Sequence, residues 1–395
     1  MFNRKYQWSA CGLALAGAAA LSGFTAQAQQ HHRHDEDGRL GTIFVIAMEN
    51  HNWTQPAGQT SPQQIFRNPN APFINSLVNG ASGISDQVAY ANNYINAAPG
   101  NHPSEPNYIW AEAGTNFNVN NDNDPCGVNG TQQNTDQHLS AFLDKKDISW
   151  KSYQEDTDID LTSNTVLPMS SWIVPLVSHS GTFTVAGALN FYNYSNQFNY
   201  AGKHNPMIYF SDTAGGCDTS TANPRRFNYA PLQQFALDLQ NDTLADYNWI
   251  TPNQFNDQHS ALSTGYGATG TPPTATKGDS AEIAQGDNFL ARVVPLIMAS
   301  DAYKHHGAIL VWWDESEGGD DPTRTLPFIV ISRDAHKNVG GKPFASSEEY
   351  SHSSFLRTMQ EVFDVDPDDG FPFLGAASIA TDLRALFKPG VVKQH

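Results

Sequence analysis

Three short apolar runs stand out along the chain: residues 40–47 (LGTIFVIA), 306–313 (HGAILVWW) and 326–331 (LPFIVI). Each is rich in β-branched or aromatic residues with little polar interruption, the pattern of a strand buried on both faces of a sheet. Between them the period changes. Residues 136–145 and 231–239 space their apolar positions at near-helical intervals, and 279–299 carries Ile283, Phe289, Leu290, Val293, Val294 and Ile297 in the same manner. Strands alternating with helices predict a mainly parallel α/β sandwich. Residues 94–134 and 257–277, rich in Asn, Gly, Thr, Pro and Asp, read as long loops. Neither a repeat of fixed period nor a linker strong enough to split the chain is visible, so residues 40–395 read as a single domain.

The N-terminal pattern is different in kind. Arg4 and Lys5 precede the apolar run 11–24 (CGLALAGAAALSGF), and Ala26-Gln27-Ala28 follows it. This is the charged, apolar and small-residue order of a secretory signal peptide, cleaved near Ala28. The run is shorter than the roughly twenty apolar residues a membrane-spanning helix needs, so stable membrane insertion is not expected. Cys11 stands before the apolar stretch instead of after it, which argues against a lipid anchor there. Residues 29–39, with His31, His32, His34, Asp35, Glu36 and Asp37, read as a polar disordered leader. The mature protein is therefore expected to be secreted or periplasmic. Two cysteines remain after cleavage, Cys126 and Cys217, and in an oxidising compartment they read as a disulfide; separate buried thiols or a metal pair are the less favoured alternatives.

Charge narrows the partners. The chain has 22 Lys+Arg against 40 Asp+Glu, a formal charge of −18, and losing Arg4 and Lys5 with the signal peptide takes it to −20. Nucleic acid or an anionic membrane as main partner would need an electropositive face, so both are disfavoured.

Chemistry gathers where apolar runs end. The first strand ends in Met48-Glu49-Asn50, and the second in Trp313-Asp314-Glu315. In open α/β sheets, ligands collect outside the carboxyl ends of strands, so these distant endings can converge. Glu49, Asn50, Asp314 and Glu315 would offer oxygen only, the preference of a hard cation such as calcium, magnesium or manganese. Acidic residues also commonly cap loops. Ser104 lies between Pro103 and Pro106, with His102 two positions earlier; a serine becomes a strong nucleophile only beside a base or metal. Asp257 and His259 are close-spaced candidate metal ligands. His352 stands next to Ser351 and Ser353 ahead of an amphipathic stretch, near an expected helix N-terminus where an anion is favoured. The run 318–321 (GGDD) reads as a turn or a further cation site.

In chain order these segments resemble the bacterial and fungal phosphoesterase family of secreted acid phosphatases and phospholipases C, within the alkaline-phosphatase-like superfamily. The markers run from about residue 42 to 387: MEN at 48–50, HPSEPNY at 102–108, SWKSYQED at 149–156, KHNP at 203–206, ITPN with DQH at 250–259, WDE at 313–315 and HSSFLRT at 352–358. The resemblance implies a three-layer α/β/α sandwich. It implies Ser104 as a phosphorylated nucleophile and Glu49, Asn50, Asp314 and Glu315 as metal ligands. Asp257, His259 and His352 fall where two-metal relatives hold a second ion, and are candidates for that ion or for phosphate. His102 and His204 look like phosphate-contacting or proton-transferring residues. Two-zinc relatives follow the later strand-end aspartate with histidine, whereas this chain has Glu315, which points away from a two-zinc arrangement and leaves the divalent ion open among calcium, magnesium, manganese and zinc.

The implied activity is hydrolysis of a small phosphate monoester, as in an acid phosphatase. The alternatives are a phospholipase C acting on a phospholipid, and a non-catalytic secreted binding protein on the same fold. Glu49-Asn50 continues as His51-Asn52-Trp53-Thr54 and not as the Arg-Ser-Phe-Asp of the phospholipase signature, which tilts the reading to the monoesterase.

Overall fold

The computed structural model describes residues 38–266 and 277–393, so the expected signal peptide and most of the expected leader lie outside the described residues. The strands are β1 (Ile43–Met48), β2 (Val88–Tyr94), β3 (Trp150–Gln154), β4 (Ile159–Asp160), β5 (Thr165–Val166), β6 (His179–Thr182), β7 (Gln197–Tyr200), β8 (Tyr229–Pro231), β9 (Tyr247–Thr251), β10 (Ala308–Trp313), β11 (Phe328–Ser332) and β12 (Phe344–Tyr350). The α-helices are α1 (Pro72–Asn79), α2 (Ser104–Ala113), α3 (Leu139–Lys145), α4 (Ser211–Ala214), α5 (Leu232–Asn241), α6 (Asp279–Ala299), α7 (Asp301–Lys304) and α8 (His352–Val362).

Eight strands form one sheet in the order β12-β2-β11-β10-β1-β9-β3-β8. β1 pairs in parallel with both β10 and β9, β3 in parallel with β9 and β8, and β2 in parallel with β12. β11 is antiparallel to β10 and β2, so it alone opposes the common direction. The pairs β4–β5 and β6–β7 make small antiparallel ribbons apart from this sheet.

Successive side chains of a strand point to opposite faces, and both faces here are covered. Ile43, Val45 and Ala47 of β1 and Leu310 and Trp312 of β10 pack with Tyr108, Phe142, Phe355 and Met359 from α2, α3 and α8. Phe44, Ile46 and Met48 of β1 and Ile309 and Val311 of β10 pack instead with Ile74, Phe235, Phe289 and Val293 from α1, α5 and α6. The result is a three-layer α/β/α sandwich with a mainly parallel sheet. Burying a Val, Leu, Ile, Phe or Met side chain contributes about 1.5–3 kcal/mol, so these central strands are strongly held in register.

The apolar runs become β1, β10 and β11, and the three helical patterns become α3, α5 and α6. The loop reading of 94–134 needs correction, because α2 lies inside it. Pro106 falls in the first helical turn, where no earlier carbonyl requires its missing N–H. Nine of the ten α2 residues are buried, so there is no polar face to give an amphipathic period. The helix stops at Gly114 with φ +67°, where a Cβ would lie 2.3 Å from the Leu374 carbonyl oxygen. β2 and β12 escape the apolar-run criterion because Asn92, Asn93, Ser347, Glu348 and Glu349 interrupt them near one edge of the sheet.

Cys126 and Cys217 are joined in a disulfide across a sequence separation of 91. Closing so long a loop removes freedom from the unfolded chain. Replacing both cysteines by serine is expected to lower the unfolding free energy by about 2–4 kcal/mol, read as a lower urea midpoint with a somewhat steeper slope as the unfolded chain expands.

Candidate functional site

The site begins with sheet register. Met48 pairs with Trp313, the last residues of β1 and β10, so Glu49 and Asp314 leave the sheet side by side. The Glu49 N–H donates to the Asp257 carbonyl at 2.8 Å, which brings the segment after β9 to the same end. Asn50 has φ +45°, a conformation asparagine tolerates better than most residues, and its N–H donates to Asp314 Oδ1 at 3.0 Å.

Ser104 is delivered by the first turn of α2. Its hydroxyl lies 3.0 Å from Glu49 Oε2 and 3.4 Å from Glu315 Oε1. One turn on, Tyr108 donates to Glu49 Oε1 at 2.6 Å and stacks on the His204 ring at a centroid distance of 5.2 Å. His204 bridges two acids. Its Nδ1 is 3.1 Å from Asp257 Oδ2, while Nε2 is 3.1 Å from Glu49 Oε1 without hydrogen-bond alignment. Thr251 at the end of β9 donates to the His204 carbonyl at 2.9 Å and so fixes that turn.

Burial makes this a strained electrostatic arrangement. Glu49 is held well above the carboxylate range by burial and by Asp314 and Asp257. Burial and Glu315 push Asp314 up to about 8, and burial raises Asp257 strongly. The same burial, with Lys203 and His259 nearby, holds His204 well below the usual histidine value. Removing charge from water costs several kcal/mol per ion unless it is paired. Asp314 Oδ2 and Asn50 Oδ1 are buried without hydrogen-bond partners. Ser104 between Glu49 and Glu315, with Asp314 beside Glu49 and the unpartnered oxygens of Asp314 and Asn50, gathers oxygen donors of the kind a hard divalent ion prefers. Ligand atoms of Glu49, His204 and His259 also lie within 4.8 Å of one another, a mixed set that shares Glu49 with the first.

Toward solvent the chemistry changes sign. His102, with its side chain 31% exposed, bonds Glu315 Oε2 through Nδ1, and its Nε2 is 3.2 Å from Asp320 Oδ1. The bond to Glu315 raises its pKa to about 9 in spite of partial burial. With residues 315–319 it lines an open cleft. Asp320 accepts from Asn96 and the Gly100 N–H, so the 318–321 run serves as a braced turn. On the other side, Lys203 lies 3.2 Å from His259 Nε2 and pairs with Asp122 at 3.0 Å. Burial and the Lys203 charge lower His259 to about 4. The His259 N–H donates to Asp257 Oδ1 at 2.8 Å.

Glu49, Asn50, Ser104, Asp257, His204, His259, Asp314, Glu315 and His102 thus meet at one end of the sheet. His352 stands behind them. Its Nε2 donates to the Asp314 carbonyl, and its Nδ1 accepts from Trp312 Nε1 and the Tyr94 hydroxyl, each at 3.0 Å. Both ring nitrogens are engaged by protein. Ser351 caps α8 through a capping box, which fixes His352 as its first residue. Tyr108 and Lys203 are functional neighbours that sequence reasoning left without a role. Tyr108 lies four residues beyond Ser104 and shares its helical face, a relation hidden while 94–134 read as loop.

The sequence profile of the Phosphoesterase family matches residues 22–366. A probable acid phosphatase of Kluyveromyces lactis is 28% identical over 231 residues, covering 57% of this chain and 40% of that protein. An acid phosphatase of Aspergillus fumigatus is 31% identical over 163 residues, 40% of this chain and 28% of its own length. The aligned part therefore spans less than half of these fungal relatives. A phosphatidylinositol-3-phosphatase of Mycobacterium tuberculosis is 25% identical over 328 residues, 83% of this chain and 79% of that one. Among solved structures, a protein of the alkaline phosphatase superfamily from Vibrio parahaemolyticus superposes with a TM-score of 0.45 at 8% identity, covering 89% of this chain and 71% of that one. With the profile match extending over most of its length, the chain belongs to the Phosphoesterase family.

Proposed function

We propose that this protein is a secreted, metal-dependent phosphoric ester hydrolase that cleaves phosphate monoesters through a phosphoserine at Ser104. The observation that carries the reading is the Ser104 hydroxyl at the head of α2, within reach of two carboxylates of a buried oxygen donor set. Glu49, Asn50, Asp314 and Glu315 would hold a divalent ion, whose chemistry when bound is to stabilise charge on phosphoryl oxygens and ease ionisation of the serine. Asp257 and His259 border this set, and His352 orients Asp314 from behind through its carbonyl. Export is supported by the disulfide and by the signal pattern of the sequence, and among the described residues no helix is long and apolar enough to cross a membrane.

Ser104 Oγ attacks phosphorus in line, its proton passing to Glu49 3.0 Å away, a carboxyl that is ionised for this role only where a cation matches the buried charge. The ester oxygen leaves toward the open cleft, where His102 stands protonated at neutral pH and gives it a proton. Water arriving by the same route then attacks the phosphoserine with His102 as base, the bond from Ser104 Oγ to phosphorus breaks, Glu49 returns its proton to that oxygen, and inorganic phosphate departs. His204, buried and neutral between Glu49 and Asp257, holds those two carboxylates apart, and Lys203 supplies positive charge for a bound phosphoryl group. The Mycobacterium relative favours one refinement, a monoester carried on a lipid.

Ser104→Ala is expected to lower hydrolysis of p-nitrophenyl phosphate by about 10³-fold or more at unchanged melting temperature. On the wild type, p-nitrophenyl phosphate should be cleaved in preference to p-nitrophenylphosphorylcholine. Preference for the diester would support phospholipase C, and turnover of neither would leave a binding protein. His102→Asn is expected to cost about 10²-fold or more in kcat on glycerol 3-phosphate, whose leaving group needs a proton, and far less on p-nitrophenyl phosphate. An equal loss on both would remove His102 from the general-acid role. Stripping divalent ions should abolish turnover, and restoring one suitable ion at 100 times its Kd should stabilise the fold by about 2.7 kcal/mol, read by thermal unfolding.

A further inference from the structure

A second donor cluster starts from the same 49–51 segment. Ligand atoms of His51, Asp279 and Glu282 all fall within 4.8 Å of one another. His51 is only 2% exposed. Its Nδ1 donates to the Glu49 carbonyl at 3.3 Å, which leaves a lone pair on Nε2. That Nε2 is buried and has no hydrogen-bond partner, and a ring nitrogen of His51 lies within 4.8 Å of an oxygen of each carboxylate. Asp279 takes a hydrogen bond from Ser61 at 3.2 Å, and Glu282 one from the Ala261 N–H, so each carboxylate is anchored with oxygen capacity to spare. Neither acid makes an ion pair with a lysine or arginine among the described residues.

The bland account is that Asp279 and Glu282 are first-turn acids favouring the N-terminus of α6. It explains the acids and not the histidine, whose burial with an unpartnered nitrogen costs about 1–3 kcal/mol. We propose that His51, Asp279 and Glu282 form a structural site for a divalent transition ion, zinc or manganese, that ties the segment carrying Glu49 and Asn50 to the first turn of α6. One imidazole with two carboxylates suits those ions better than calcium or magnesium. The ion would use none of the oxygens around Ser104 and would be tied to them through the His51 bond to the Glu49 carbonyl.

The test uses the full mature protein saturated with ZnCl2 and freed of unbound metal, with zinc per chain measured by mass spectrometry. The Asp279→Asn/Glu282→Gln variant, altered at a partly exposed helix start, is expected to hold one zinc fewer than wild type and to lose part of the zinc-dependent rise in melting temperature. His51→Gln is expected to match it. Equal zinc content in wild type and the double variant would overturn the proposal, as would a variant that is less stable without zinc but gains as much from zinc as wild type. Ser104→Ala should retain this zinc, which separates the site from failure of the catalytic reading.

Discussion

The register between β1 and β10 is the constraint on which the site depends. Six consecutive pairs, from Ile43 with Ala308 to Met48 with Trp313, end together, and the next residue on each strand is an acid. A slip of one residue would turn every inward side chain to the other face, and both faces here are packed against helices, so the pairing has no cheap alternative. The hydrophobic layers therefore enforce what electrostatics alone would resist, the approach of Glu49 to Asp314 away from water. β9 and β3 share the direction of β1, so their carboxyl ends reach the same edge. Glu155, just beyond β3, accepts the Asn253 N–H at 2.8 Å and both its oxygens bond the Asn256 amide. That network braces the segment from which Asp257 projects.

The side chains behind the buried acids are placed as specifically as the acids themselves. Tyr108 gives Glu49 one short hydrogen bond, and His352 holds Asp314 by its main chain, leaving the Asp314 carboxylate facing forward. Both partners come from helices on one face of the sheet, α2 and α8, which pack on Trp312 and Trp249. Orientation of ligands by such outer contacts commonly matters 10- to 100-fold in metal affinity or activity. The cost is stability, since acids kept partly protonated by burial contribute nothing favourable until their charge is matched.

What was legible in the sequence followed from burial. Strands with two covered faces read as apolar runs, and their first polar residues, Glu49 and Asp314, marked where cover ends. Long α6 declared itself by period. What stayed hidden had mixed surroundings. α2 is buried nearly all round yet carries Ser104, Glu105, Asn107 and Glu112, so neither a period nor an apolar run identifies it. His352 could be placed at a helix start, but whether its ring faces substrate or protein depends on Tyr94 and Trp312, which lie 258 and 40 positions away. His51 looked like part of a signature comparison, and only the packing of α6 brings Asp279 and Glu282 beside it.

The excess of acidic over basic residues is in apparent conflict with an anionic substrate, and the placement of charge resolves it. The carboxylates nearest Ser104 are buried and face one another, so they would act on a phosphate only through whatever neutralises them. The positive groups lie on two flanks, Lys203 beside His259 and His102 at the cleft. Each is itself held by an acid, Asp122 or Asp320, that fixes its position. The cleft at His102 is also lined by Glu315 and Glu317, so its imidazole stands among carboxylates. The two sides differ in exposure: residues 315–319 line an open cleft, whereas Ser104 is 1% exposed. On the buried side Tyr108 both stacks on His204 and donates to Glu49, so the packing that fixes Glu49 also fixes the histidine beside it.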